Sequence, residues 1–199
     1  MTKRFLLLFA ICCLLTPLAW ADLYVNNLPV YTYGGYYVGP AGASWQSKAA
    51  GWEFDIICND FTSTTYVPSS FPVLVSAFND LSNARFISQG IEKYQRAAWL
   101  VDQMYANIGN GTAVGQIQYA IWKLFSASTP NNYGSWYSAA LAADLTNYDF
   151  SAFRVLTPTG SGVSNQEFIT RVPEPFGGII LLAGVLGIGL FHRRRSQTA

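Results

Sequence analysis

The sequence is poor in the side chains on which most enzyme active sites depend. It has one histidine and three cysteines, and only 12% of its 199 residues are charged. A cysteine nucleophile commonly needs a histidine base, and a zinc site needs several cysteine or histidine ligands. Because the single histidine, His192, stands close to the C-terminal end, the rest of the chain offers neither arrangement. We therefore expect no metal and no cofactor.

Basic residues are also scarce between the two ends of the chain. Residues 22–175 hold seven of the twelve basic residues and all eleven acidic ones, so their net charge is −4, against +1 for the whole sequence. Proteins that bind nucleic acid carry a basic patch or stripe. The charge distribution therefore argues against a nucleic-acid partner.

An apolar segment opens the chain. Two basic residues precede the apolar run Phe5–Leu15, and Ala19-Trp20-Ala21 matches an A-x-A cleavage site. This order is typical of a secretory signal peptide, and the run is shorter than the ~20 apolar residues of a membrane-spanning helix. We expect residues 1–21 to be removed on export and residues 22–172 to form a single extracellular domain.

A second apolar run lies at the far end. The motif Pro173-Glu174-Pro175 precedes an uncharged run at residues 176–191, and Arg193, Arg194 and Arg195 follow it. The run approaches the ~17–25 residues of a transmembrane helix, whose end the arginines would hold on the cytoplasmic side. A plain C-terminal anchor would explain the helix and the arginines but not the Pro-Glu-Pro motif.

These three parts, in this order over residues 173–199, resemble the PEP-CTERM sorting signal. The resemblance implies recognition by an exosortase-type membrane protease of a Gram-negative bacterium. It also implies a transient intermediate in the inner membrane and cleavage near the Pro-Glu-Pro motif. The protein would then be released to the cell surface or to the extracellular matrix of a biofilm.

Two kinds of periodicity divide the segment between the ends. From Leu23 to about Tyr66, short alternating runs separated by glycines predict strands. From Phe71 to Tyr148 apolar residues recur at spacings of three and four, which predicts helices. Three helices are expected, in IEKYQRAAWLVDQMYANIG, GQIQYAIWKLFSAS and SWYSAALAADL, and two strands follow Asp149. The predicted fold class is α+β, an antiparallel β-sandwich or barrel with an inserted helical subdomain.

Cys58 is the only cysteine of the predicted mature chain, because Cys12 and Cys13 lie in the predicted signal peptide. A single thiol in an exported protein needs an explanation, since exported thiols usually pair. Cys58 could be a buried apolar residue, one half of an intermolecular disulfide, or a nucleophile. The residue alone does not choose between these roles.

Two of the predicted helices carry a glutamine four residues before a tryptophan. Gln95 precedes Trp99 in YQRAAW, and Gln118 precedes Trp122 in IQYAIW. This spacing places the amide and the indole on one helix face. A buried amide needs hydrogen-bond partners, so each glutamine either bonds to a nearby strand or to solvent, or has a more specific role.

The order of ICNDF, YQRAAW and IQYAIW resembles the three motifs of the thioester domains of bacterial surface adhesins. In that family the cysteine thiol is bonded to the glutamine of the last motif as an internal thioester. The resemblance implies a bond between Cys58 and Gln118. It makes Gln95 the structural glutamine of the second motif, with Trp99 beside it, and it makes Ala120, Ile121 and Trp122 the residues that complete the last motif.

A thioester stores an activated acyl group, which an amine on a target could attack to form an amide. The protein would then be a single-use covalent binder and not an enzyme. Asp60, two residues after Cys58, would share its face on a strand and could assist proton transfer, or it could be a turn or cap residue. Gln116 is a rival acyl donor, but on a helix it points about 160° away from Gln118.

Two other functions fit the same sequence. In a matrix protein without reactivity, Cys58 would be a core thiol and the Gln–Trp faces would serve only packing. A glycosidase-like hydrolase would need two carboxylates at a defined separation. Asp55, Asp60, Glu92 and Asp102 could supply them, but their spacing singles out no pair.

Overall fold

The computed structural model describes residues 20–45, 51–160 and 164–171. The strands are β1 (Trp20–Asn27), β2 (Tyr31–Tyr33), β3 (Tyr36–Val38), β4 (Ala41–Ser44), β5 (Phe54–Cys58), β6 (Ser69–Ala77), β7 (Phe153–Pro158) and β8 (Phe168–Arg171). The helices are α1 (Ile91–Ala106), α2 (Gly111–Phe125) and α3 (Trp136–Ala142). The predicted sorting segment lies outside the described residues, as does the predicted signal peptide apart from Trp20 and Ala21, the first residues of β1.

Six of the strands close into an antiparallel barrel in the order β1-β4-β5-β8-β7-β6. Strands β2 and β3 form a separate hairpin whose turn is Gly34-Gly35. Both glycines have positive φ, at 56° and 86°. A two-residue hairpin turn of this kind favours glycine, because other side chains are strained at positive φ.

The interior of the barrel is apolar. Side chains at alternate strand positions point inward, as in β1, where Leu23 and Val25 are buried while Asp22 is exposed. Phe71 and Val73 of β6 and Ile56 of β5 belong to the same buried cluster. The inward-pointing residues of these strands therefore form one continuous core inside the barrel. The barrel alternative of the predicted fold class is confirmed.

The three helices come between β6 and β7 in the chain and form a second core against the outside of the barrel. Tyr94 and Val101 of α1 and Ile117 of α2 are fully buried there, together with Val155 and Ile169 of the barrel strands. Apolar residues at spacings of three and four give each helix the face that this layer requires. The predicted helical insertion and the two returning strands are confirmed.

The prediction that helical structure begins at Phe71 is wrong. Residues Ser69–Ala77 form strand β6, which pairs with β1 and β7, and the first α-helix begins at Ile91. In this stretch Phe71 and Val73 are buried at a spacing of two residues, which is strand periodicity. Short apolar runs of this kind are compatible with both helical and strand periodicity, so the sequence pattern does not distinguish them.

Within the described part of the chain, none of the helices combines the length and apolarity that crossing a bilayer requires. The predicted transmembrane run, 176–191, lies outside that part.

Candidate functional site

Helix α2 carries one half of the site on a single face. Asn110 caps the helix at its N-terminus, where its side-chain oxygen accepts a hydrogen bond from the Ala113 N–H at 3.1 Å. One turn separates Gln118 from Trp122, and both side chains are almost completely buried. The spacing of four residues thus aims the amide and the indole at the same region, which is the end of strand β5.

Cys58, the last residue of β5, is the other half of the site. The side-chain amide of Gln118 donates a hydrogen bond to the Cys58 backbone carbonyl, with 2.6 Å between nitrogen and oxygen. The indole nitrogen of Trp122 donates to the Cys58 sulfur at 3.4 Å. The structure therefore brings together Cys58 of the ICNDF motif with Gln118 and Trp122 of the IQYAIW motif, the two motifs that are furthest apart in the sequence.

The Gln118 side-chain oxygen has a partner of its own. It accepts a hydrogen bond from the backbone N–H of Gly39, at 3.3 Å, just after the β2–β3 hairpin. Both ends of the carboxamide are therefore held, as a buried amide requires. The hairpin is in turn fixed to α2, since Tyr119 donates a hydrogen bond to the Gly34 carbonyl at 3.2 Å.

Burial raises the pKa of the Cys58 thiol to about 12. The Trp122 indole N–H favours the thiolate and lowers the pKa, but it does not offset the loss of hydration, and the negative charges of Asp60 and Glu167 raise the pKa further. The thiol is neutral at physiological pH and donates a weak hydrogen bond to the Asp60 backbone carbonyl at 3.2 Å. A free thiol in this state is a poor nucleophile towards reagents in solution.

A cavity of about 250 Å³ opens above these residues. Cys58, Gln118 and Trp122 all line it. The β2–β3 hairpin, the loop after β5 and barrel side chains such as Ile56 and Phe168 contribute to its other walls. Small molecules bind in concave sites of this kind, in which mostly apolar walls surround a few polar groups.

Asp60 does not share a strand face with Cys58, because β5 ends at Cys58. Its buried carboxylate accepts hydrogen bonds from the backbone N–H groups of Thr62, at 3.0 Å, and Ser63, at 3.2 Å, and forms an ion pair with Arg85. The shared face depended on a strand that extends to Asp60, and this condition is not met. The contacts of Asp60 are those of a turn residue, the alternative that the sequence left open. What Asp60 offers the thiol is its backbone carbonyl.

Glu167 is a structural residue that the sequence analysis missed. Its fully buried carboxylate accepts hydrogen bonds from the side chains of Asn59 at 2.8 Å, Tyr94 at 2.8 Å and Thr157 at 2.7 Å, and from the Arg85 backbone N–H at 2.6 Å. The carboxylate thus joins the residue after Cys58 to α1, to β7 and to the loop before α1. The only sequence feature that pointed to a role for Glu167 was its position directly before the alternating apolar residues of the predicted strand in NQEFITRV.

The remaining predicted residues lie elsewhere. Gln95 and Trp99 are partly buried on α1, and neither is among the described residues that line the cavity. Ala120 packs in the core between the helices and the barrel. Gln116 lies beside Gly134, so the expectation that it points away from Gln118 agrees with its position.

The carboxylates considered for a hydrolase have separate partners. Asp55 accepts a hydrogen bond from the Trp52 indole at 2.8 Å, Glu92 pairs with Arg96, and Asp102 pairs with Arg171 at 3.4 Å. Across residues 20–45, 51–160 and 164–171, no group of three or more His, Cys, Asp or Glu side chains is placed to hold a metal ion.

Comparison with protein-family models found no match, and comparisons with curated proteins and with solved structures found none either. The function is therefore argued from the residues and geometry of the site.

Proposed function

We propose that the protein is exported to the cell surface or the extracellular matrix and attaches covalently to an amine-bearing target through an internal thioester between Cys58 and Gln118. The observation that carries the proposal is the position of the Gln118 carboxamide. It is buried, and it is held against Cys58 by a 2.6 Å hydrogen bond to that residue's backbone. The acyl donor and the thiol-bearing residue also line the same cavity, which supports the proposal.

In the proposed formation of the thioester, the groups that exchange bonds are the Cys58 thiol and the Gln118 carboxamide. The Cys58 sulfur attacks the side-chain carbonyl carbon of Gln118, the carbon–nitrogen bond breaks, and the nitrogen leaves as ammonia with the thiol proton. The Gly39 N–H, which bonds to the Gln118 oxygen, stabilises the negative charge that develops there. The Trp122 N–H stabilises charge on the sulfur.

Reaction with a target opens the thioester. The target amine attacks the acyl carbon, an amide forms between Gln118 and the target, and the Cys58 thiol is released with a proton. Each molecule reacts once, so the protein is not an enzyme. Gln118 is almost completely buried, which limits access of the water that would otherwise hydrolyse the bond.

The proposed location follows from the ends of the sequence. The signal-peptide pattern of residues 1–21 directs export, and Pro173-Glu174-Pro175 followed by residues 176–191 and three arginines supplies the sorting signal. An exosortase-type protease is the proposed processing partner, and the inner membrane is the intermediate location.

A non-reactive matrix protein is the second candidate. Two observations favour it: the pKa of the Cys58 thiol is raised to about 12, and both ends of the Gln118 carboxamide already have hydrogen-bond partners. In this case the Gln118 contacts would only tie α2 to the barrel.

Mass spectrometry of protein produced from the full-length chain distinguishes the two candidates. Trypsin separates Cys58, in peptide 49–85, from Gln118, in peptide 97–123. Treatment with methylamine before digestion is expected to convert Gln118 to its N-methyl amide and to make Cys58 available for alkylation. Gln118→Glu abolishes both changes, while Gln116→Glu serves as the matched control and retains them. An unmodified Gln118 beside a free Cys58 thiol, in protein taken from the native cells, would establish the non-reactive candidate instead.

A further inference from the structure

The cavity above Cys58 is uncharged. Eighteen described residues line it, and none of them is Asp, Glu, Lys or Arg. The nearby Asp60 and Arg85 form an ion pair with each other. A charged ligand entering the cavity would lose hydration without gaining a counter-charge, which is costly. The cavity therefore selects against phosphates, carboxylates and protonated amines, so a target amine would enter it in its neutral form.

An aromatic rim stands at the mouth of the cavity. Tyr36 and Tyr37 of the β2–β3 hairpin both line it, although they are 44% and 55% exposed. The Tyr36 ring is held in place by an edge contact with Trp122, with ring centres 5.8 Å apart, and by Phe61 at 5.4 Å. The Tyr36 ring thus presents a fixed aromatic surface to a ligand that has an apolar face.

The loop after β5 contributes hydroxyl groups to the cavity wall. Ser63, Thr64 and Thr65 line the cavity in succession. The Ser63 hydroxyl accepts a hydrogen bond from Arg85 at 3.0 Å, and the Thr65 hydroxyl accepts one from the Gln166 backbone at 2.9 Å. Because a hydroxyl can donate one bond and accept two, each of these groups can still donate to a ligand.

We propose that this cavity binds one uncharged pyranose unit of a polysaccharide. A neutral sugar ring has an apolar C–H face, which suits the tyrosine rim, and hydroxyl edges, which suit the serine and threonine wall. The volume of about 250 Å³ lies below the ~300–1,000 Å³ of sites for drug-sized ligands, so a single ring fits better than an oligomer.

Binding of the sugar needs neither the thioester nor the thiol, so it goes beyond the proposed covalent attachment. Where the thioester is present, the same binding would hold a polysaccharide beside the reactive bond. The two proposals can therefore fail separately.

Isothermal titration calorimetry on the full-length protein tests the inference. The probes are neutral tetrasaccharides of glucose, mannose, galactose and N-acetylglucosamine, with a tetrasaccharide of galacturonic acid as the charged counterpart. At least one neutral probe is expected to bind saturably, and the charged probe is expected to bind at least about tenfold more weakly.

Tyrosine variants locate the site. Tyr37→Ala is expected to weaken binding by about tenfold, through the loss of an aromatic contact at the rim. Tyr66→Ala is the matched control, because Tyr66 is 77% exposed and is not among the lining residues, and it should change affinity less than about twofold. The inference would be overturned if none of the neutral probes bound saturably, or if the charged probe bound as tightly as the neutral ones. Equal losses of affinity in the two tyrosine variants would also overturn it.

Discussion

The side-chain amide of Gln118 and the backbone carbonyl of Cys58 are joined by a 2.6 Å hydrogen bond across a separation of 60 residues. This bond connects the middle of helix α2 to the end of strand β5, where the barrel meets the helical layer. Because the other end of the same amide is bonded to Gly39, three separate segments depend on one side chain. The geometry of the site therefore depends on the stability of the barrel and helices that hold these three segments together.

Glu167→Gln is expected to destabilise the protein by about 2–4 kcal/mol. Glutamine has nearly the same shape, but its NH₂ group cannot accept the hydrogen bonds that a carboxylate oxygen accepts, so buried donors lose their partner. Urea denaturation measures the change. Glu92→Gln is the matched control, since Glu92 is exposed and pairs with Arg96 along α1, and its removal should cost less than about 0.5 kcal/mol. Equal effects of the two substitutions would show that the Glu167 network contributes no special stability.

The free-thiol form should lose stability at alkaline pH because of Cys58. Its pKa is raised in the folded state from 9.0 to about 12, so as pH rises through 9 the unfolded chain loses the thiol proton first. The unfolded state then binds fewer protons, and the free energy of unfolding falls by up to about 1.4 kcal/mol per pH unit.

The measurement is urea denaturation between about pH 7 and pH 10, compared with Cys58→Ala. Buried tyrosines such as Tyr94 and Tyr105, whose pKa values are also raised by burial, are present in both proteins, so the difference isolates the thiol. Parallel curves would mean that Cys58 does not titrate, as is the case when its sulfur is bonded to Gln118.

Gly115→Ala should separate α2 from the β2–β3 hairpin. A Cβ atom at this helical position would lie against the Tyr33 ring, closer than side-chain atoms normally approach. The expected destabilisation is about 1–3 kcal/mol, although alanine is the better helix former by up to about 1 kcal/mol. Gly111→Ala is the control, because its Cβ would meet only Tyr31 at 3.2 Å. Thermal unfolding compares them, and a stabilised Gly115→Ala would show that the hairpin is not held at this contact.

Removal of the N-terminal cap of α2 should lower the stability of the helix that carries the site, although the cap does not contact the site residues. Asn110→Ala leaves the Ala113 N–H without its side-chain acceptor, at a cost of about 1 kcal/mol. Thr112→Ala, an exposed substitution in the same turn, should stay within about 0.5 kcal/mol of the parent. Far-UV circular dichroism during urea unfolding provides the comparison, and the cap has no role if the two variants unfold together.

Much of the fold was predictable because its signals are local. The spacing of apolar residues identified all three helices, and the strands after Asp149 followed from alternation. Strand β6 was missed because its apolar run is compatible with either period when its neighbours are unknown. Pairing with β1 and β7 decides that case, and pairing is not a property of the run itself.

Some features of the site could likewise be predicted from the sequence, and others could not. That Gln118 and Trp122 share a face follows from the helical repeat, and the sequence alone establishes it. The low content of histidine and charge likewise limits the possible chemistry before any fold is known.

Closure of the barrel accounts for what could not be read from the sequence. It places the end of β5 beneath α2, turns Asp60 into a loop residue paired with Arg85, and surrounds Glu167 with donors from four segments. Periodicity describes which side of an element is apolar, but it carries no information on which distant polar groups will meet. Those contacts form because buried donors and acceptors must be satisfied where the two cores join, and that junction exists only in the folded chain.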